Sequence, residues 1–330
     1  MLETFNHWLI FNAVLVALLI FDLLILTRKS RVVGMKEAAW LTAFWTLVAG
    51  AVGVWIFVAG SEQQGGEYFA GYVAERALSI DNLFVFIVIF GYFSLPKSYE
   101  ARGLLFGIVG ALLARAVFIA AGVAVISAFA WFLYVLGAFL IYTAYKLAFV
   151  GDHEVNPGKN IAVRLFRKLM PVSDEFDGTK FFTRMNGVRA ATPFLLVVIV
   201  LATTDVVFAI DSIPTVFGIT DDPFIVWSSN AMAVLGMRPL FFLLVGMVKL
   251  FRYLQFGLAA ILGFVGLKMI VETAFEDFHV IGKLEDIYLS LVIILGILIG
   301  SVLLSIILPD DDDDIDENSL HIVGSTETDN

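Results

Sequence analysis

A chain of 330 residues that is 60% hydrophobic and 16% charged, with a mean hydropathy of +0.91, is not built for water, where about 25% charged residues is usual. The net charge of -10 misdescribes its body: seven acids, Asp310 to Asp314 with Asp316 and Glu317, form one run, and the remainder stands near -3. That excludes the basic footprint of a nucleic-acid binder, and the absence of cysteine excludes disulfides, thiolate ligands and cysteine nucleophiles.

Apolar segments recur along the whole length, each close to the roughly 20 helical residues that cross a hydrocarbon core. They predict an all-α polytopic membrane bundle of about nine transmembrane helices, at 8–26, 39–59, 70–93, 103–126, 129–150, 192–218, 230–249, 256–273 and 287–308. The first run has no basic segment before it and no small-residue cleavage pattern after it, so it reads as a span rather than a signal peptide. The corresponding units are two N-terminal helices (1–69), a three-helix unit (70–150), a hydrophilic loop (151–191), a second three-helix unit (192–273), a ninth helix (274–309) and an acidic tail (310–330) that reads as disordered.

Lysine and arginine fall on alternate connections. Arg28, Lys29, Arg31 and Lys36 follow the first span, Lys97 and Arg102 the third, seven basic residues from Lys159 to Arg189 the fifth, and Lys249 and Arg252 the seventh. The intervening loops hold almost none. By the positive-inside tendency the N-terminus is outside and the C-terminus cytoplasmic. Within the long loop, Ile161, Leu165 and Leu169 recur beside Arg164, Arg167 and Lys168, which predicts an amphipathic helix over 160–170 lying along an anionic leaflet. The loop also offers a surface to protein partners.

The informative residues are those that hydrocarbon should reject. The third span carries Glu75-Arg76-Ala77-Leu78-Ser79-Ile80-Asp81-Asn82, and the sixth carries Asp205-Val206-Val207-Phe208-Ala209-Ile210-Asp211-Ser212. Glu75 aligns with Asp205 and Asp81 with Asp211. A carboxylate in a span is expensive unless it faces a cavity or a partner, so the repetition points to function. The loop charges give the two copies opposite directions through the membrane, which predicts inverted three-helix repeats around a shared central site, as in secondary transporters.

Residues six apart on a helix lie about 9 Å apart along its axis and about 120° apart around it, so Glu75 and Asp81 cannot both face one small ion on an unbroken helix. Pro214 predicts an interruption in the sixth span: it has no N–H to offer the carbonyl of Ile210, which then becomes a candidate cation ligand beside Asp211. Asn82 and Ser212 add neutral oxygens, with Ser79, Thr204, Asn230 and Asp22 as accessory candidates. Such an all-oxygen set suits Mn²⁺, Mg²⁺ or Ca²⁺. Arg115 and Arg238, whose guanidinium groups cannot bind a cation, read as partners of buried acids. His7, His153, His279 and His321 lie near ends or loops, and no dinucleotide fingerprint, phosphate loop or serine elbow is present, so no bound cofactor and no enzyme active site is expected.

At these residues the chain resembles the TerC/Alx family of bacterial integral membrane proteins, named for tellurium resistance and linked with manganese homeostasis. Glu75 to Phe86 looks like the first family signature; Thr204 to Pro214, followed by Phe224-Ile225-Val226 and Ser229-Asn230, looks like the second. The resemblance runs from about Asp22 to the ninth span and implies manganese export across the inner membrane. One departure is Ala202, where family members commonly have a glutamate three residues before the aspartate matched by Asp205. Together these readings predict a divalent-cation exporter, Mn²⁺ foremost, coupled to protons, in which the lipid bilayer and the cation are the partners. The alternative is a non-transporting membrane scaffold in a metal or tellurite stress-response complex.

Overall fold

The computed structural model describes residues 5–23, 33–149, 160–185, 187–247, 253–274 and 283–308. Arg28, Lys29, Lys249, Arg252 and the acidic tail, on which several readings above rest, lie outside them.

Eleven helices are described: α1 (Phe5–Phe21), α2 (Met35–Ala59), α3 (Glu62–Tyr92), α4 (Lys97–Ala128), α5 (Phe132–Phe149), α6 (Ile161–Leu169), α7 (Pro193–Phe217), α8 (Pro223–Leu235), α9 (Met237–Val245), α10 (Leu254–Ala274) and α11 (Lys283–Ile307). Six of them, α2, α4, α5, α7, α10 and α11, are long and apolar enough to cross a membrane, and α8 with α9 makes a seventh if the pair is one bent span. The helix starts follow local chemistry. Ser61 Oγ accepts from the Gln64 amide, Thr192 Oγ1 from the Leu195 amide and Asp222 Oδ1 from the Phe224 amide, the last two each followed by proline at the first helical position.

The bend of 42° between α8 and α9 falls at Gly236. Pro239 has no amide for the Leu235 carbonyl, so the ladder is interrupted there. The span expected to begin at Asn230 begins instead at Pro223, because Ser228, Ser229 and Asn230 are buried inside the bundle rather than set at its water-facing end.

Each helix of the first predicted unit meets one of the second: α3 packs on α8, α4 on α7, and α5 on α10. Directions follow from the small residues at the crossings. Gly107 faces Leu201 and Gly122 faces Phe217, so α4 and α7 are parallel; Thr220 Oγ1, just past α7, donates to Glu67, and four residues on Gly71 lies against Val216, so α3 opposes α7. Two apolar cores result. One contains Leu104, Ile108, Leu112, Phe194, Val197 and Leu201, and the other Ile119, Leu140, Ala209, Ile213, Leu258 and Val265.

The tightest crossing joins α5 and α10. A Cβ on Gly266 would lie 2.8 Å from the Gly137 carbonyl oxygen, and one on Gly137 would lie 3.0 Å from the Gly266 oxygen. Backbone cannot yield as a flexible side chain does. Gly266→Ala is therefore expected to cost about 1–3 kcal/mol by forcing the helices apart, read as a lower melting temperature of the detergent-solubilised protein. An unchanged melting temperature would mean that α5 and α10 do not touch there.

The loop between α5 and α7 is not all helix. Strands β1 (Phe182–Met185) and β2 (Val188–Ala191) pair antiparallel with Phe182 opposite Ala191, and Gly187 closes the hairpin at φ +81°. The segment is clipped to the ends of α4 and α7: Arg102 Nη1 donates to Thr179 Oγ1 at 2.6 Å, Thr192 Oγ1 donates to the Lys180 carbonyl at 2.6 Å, and the ring of Phe181 stacks on Phe194. Hydrogen bonds from Lys180 and Thr183 hold the Asp177 carboxylate below its ordinary pKa.

Helix α6 forms over Ile161–Leu169, within the expected 160–170. Asn160 Nδ2 donates to Thr203 Oγ1 at 3.0 Å, while Val172 bridges to Ala191. These two ties make α6 run antiparallel beside the first turns of α7.

Candidate functional site: a buried arginine between two acidic helices

Glu75 on α3 and Asp205 on α7 converge on Arg115 of α4, and all three are fully or almost fully buried. Arg115 Nε donates to Asp205 Oδ2 at 3.0 Å and Nη2 to Asp205 Oδ1 at 3.4 Å, a forked pairing. Its Nη1 donates to Glu75 Oε1, to Asn230 Oδ1 at 2.7 Å and more distantly to Ser212 Oγ at 3.4 Å. Asn230 Nδ2 closes the ring by donating to Glu75 Oε2 at 3.2 Å. Four helices thus contribute to one polar knot. A carboxylate in such surroundings needs a counter-charge and donors together, and Arg115 with Asn230 supplies both.

The second acid of each motif is elsewhere. Asp211, half-buried, accepts from Thr143 Oγ1 of α5 at 3.3 Å. Asp81 is also half-buried and engaged. Since α3 and α7 are continuous, the 120° turn between the acids of each motif sends one inward to Arg115 and the other to a different face. The single site predicted around all four acids is not assembled: among the described residues, no three of histidine, aspartate and glutamate are grouped to hold a metal ion.

The predicted break in the sixth span is likewise absent. Helix α7 runs unbroken through Pro214 to Phe217, and Ile210 is 43% exposed on its outer side. The bond that Pro214 removes is tolerated because the flanking ones persist: Gly218 N donates to the Pro214 carbonyl at 2.9 Å, and Thr215 Oγ1 donates to the Asp211 carbonyl at 2.9 Å. The Ile210 carbonyl therefore drops out as a ligand.

Ser79 and Asn82 are buried on α3, and Ser79 Oγ and Asn82 Nδ2 find no hydrogen-bond partner among the described residues. With Glu75 they recur at intervals of four and three, so they share one helix face. Thr204 is half-buried on α7, next to the knot through Asp205. Ala202 packs against α4, where a Cβ on Gly110 would lie 2.9 Å from the Ala202 Cβ. Asp22 takes no part in the knot; at the end of α1 it accepts from Arg238 Nη2 at 2.6 Å in a second buried ion pair.

Sequence patterning gives no reason to single out Thr143, the one threonine in an apolar helix. It is nevertheless the residue that bonds Asp211.

The model of the integral membrane protein TerC family matches residues 60–313. An uncharacterized membrane protein of Myxococcus xanthus is 42% identical over 300 residues, covering 91% of this chain and 92% of its own length. Proteins named "Putative membrane-bound redox modulator Alx" are 39% identical over 304 residues in Salmonella typhi, covering 88% of this chain and 91% of theirs, and 38% identical over 307 residues in Escherichia coli K12, covering 90% and 93%. No solved structure matches.

Proposed function

The chain belongs to the TerC family of integral membrane proteins, and from that premise we propose that it exports a divalent metal cation, Mn²⁺ foremost, across the bacterial inner membrane. The observation that carries this reading is the convergence of one acid from each of two oppositely directed motifs, Glu75 and Asp205, on a single buried arginine. Structural ion pairs do not need a repeated motif. A transporter built from inverted repeats does, because both halves must present equivalent groups to one path.

The architecture proposed with it has nine spans, counting α1, α3 and the α8–α9 pair with the six helices already long and apolar enough. Helices α3, α4 and α5 form one repeat, and α7, α8–α9 and α10 the other. The reciprocal packing of α3 on α8 and α4 on α7 supports that pairing. Glu75, Arg76 and Asp81 interrupt the apolar run of α3, as functional charges in a span do. The orientation proposed, N-terminus outside and C-terminus cytoplasmic, rests on the lysines and arginines of alternate loops. Reporter fusions after Ser61, Phe93 and Asp222 should then read outside, inside and outside, and a fusion within 160–185 reading outside would overturn it.

Within this scheme Asp81 and Asp211, the latter with Thr143 beside it, supply hard oxygens to a dehydrated cation, while Ser79, Asn82 and Ser212 stand on the Arg115 side of α3 and α7. Arg115 cannot ligate it. Its part is to keep Glu75 and Asp205 compensated while the path is empty. Two carboxylates against one guanidinium leave one charge over when both are ionised, and a counter-moving proton would balance it.

The deciding measurement is flux of Mn²⁺, Mg²⁺ and Ca²⁺ into proteoliposomes with and without a pH gradient. Mn²⁺ flux that a pH gradient accelerates supports the whole scheme; no flux of any ion from folded protein rejects it and favours the scaffold. The name carried by the Alx relatives points to redox balance. With no cysteine of its own, this chain would affect that balance through the metal it moves rather than through a thiol.

A further inference from the structure

Arg76 follows Glu75 on α3 but takes no part in the Arg115 knot. Its Nη1 donates to the Ala233 carbonyl, in the last turn of α8, at 3.0 Å. Its Nη2 is buried and has no hydrogen-bond partner among the described residues, and no acid among them pairs with it. A cation inside a bundle needs compensation. Here a backbone carbonyl provides it.

That carbonyl stands beside the 42° break between α8 and α9. A Cβ on Gly236 would lie 2.9 Å from both Cζ and Nη2 of Arg76, so the guanidinium rests against the bend and needs glycine there. In a straight helix the Ala233 carbonyl would accept from the amide of Met237, four residues on. In the bent pair α8 ends at Leu235 and Met237 opens α9. The last turn of a helix carries unpaired carbonyls and partial negative charge, and a guanidinium answers both.

The far side of the break is tied down as well, since Arg238, the second residue of α9, donates to Asp22 at 2.6 Å. Three residues before Ala233, Asn230 Nδ2 donates to Glu75. Consecutive residues of α3 therefore grip α8 within one turn: Glu75 at Asn230 and Arg76 at Ala233. We propose that Arg76 is a positioning residue, whose guanidinium caps the broken end of α8, keeps α8 and α9 bent, and so holds Asn230 in register with Glu75. Arg76 touches no solute in this role, which is independent of what the protein moves.

The chain has no cysteine, so spin labels at Val117→Cys on α4 and Val245→Cys at the end of α9, both exposed positions, report the bend in the full-length protein in nanodiscs. Val245 lies about 13 Å along α9 from Gly236, so relaxing the bend carries its label sideways by up to about 9 Å. Arg76→Met keeps the length of the side chain and removes its charge and donors. The label-to-label distance should shift by about 3–9 Å in R76M. Gly236→Ala, which displaces the guanidinium and leaves its charge in place, should shift the distance in the same direction. R76K, which keeps a charged donor of similar reach, should hold the wild-type distance. If R76M does not yield folded protein, G236A decides alone. A distance unchanged in R76M and G236A overturns the proposal, whatever either variant does to transport. So does a shift in R76M that R76K shares in full, because charge and donor would then play no part in the bend.

Discussion

Arg115→Gln is expected to destabilise the protein by about 3–5 kcal/mol, the usual consequence of stripping one partner from a buried ion pair. The loss should exceed that of any single apolar truncation nearby, because Glu75 and Asp205 both depend on this guanidinium and neither has water to fall back on. Glutamine keeps a donor but not the charge. Thermal unfolding in detergent and the monodispersity of the eluted protein measure the effect. The triple variant Arg115→Gln, Glu75→Gln, Asp205→Asn removes all three charges together and should recover much of the stability, since uncharged amides can hydrogen-bond one another. It should not recover transport. A stable single variant would mean that the two carboxylates are compensated by something other than Arg115.

Asp81→Asn and Asp211→Asn should act in the opposite way. Each swap is nearly isosteric and falls on a half-buried group outside the Arg115 knot, so melting should barely move. A divalent cation, by contrast, loses a full charge from the oxygens that replace its water. Mn²⁺ flux in proteoliposomes should fall by more than the ~10–100-fold that loss of a merely supporting group costs a metal site. Undiminished flux in both variants would remove these aspartates from the path. Flux and stability falling together would make them structural. The contrast with Arg115 would separate the two kinds of acid: Glu75 and Asp205 are held by the guanidinium, whereas the proposal gives the cation to Asp81 and Asp211.

How far this division could be read from the sequence depends on which residue is asked. The capped starts at Ser61, Thr192-Pro193 and Asp222-Pro223 follow from local chemistry that a reading of hydrophobic runs alone does not use. That Glu75 and Asp81 must face different ways follows from 3.6 residues per turn alone. Which of the two faces inward does not, because it depends on how α4 crosses α7, and that is fixed by glycines whose contacts lie far apart in the chain.

Pro214 misleads for a related reason. In isolation a proline breaks a helix, but in a bundle the neighbouring bonds at Thr215 and Gly218 hold the turn. Thr143 carries no sequence signal at all. The β-hairpin does: Asn186-Gly187 between two strand-like runs is a strong turn signal, and an all-helical reading leaves it unused.

The Arg115 knot also has an order in time. Arg115 follows Glu75 by 40 residues and precedes Asp205 by 90. At about 5–20 residues per second, the ribosome delivers Asp205 some 5–20 s after Arg115. During that interval the α3–α4 hairpin already holds one acid and one base that can neutralise each other, so it can leave the insertion machinery as a self-compensated pair. Asp205 then arrives as the late, surplus charge, and α7 can settle only against a hairpin that is already in place. Assembly of the central site is thereby tied to the direction of synthesis, and the first half of the molecule serves as the template on which the second half docks.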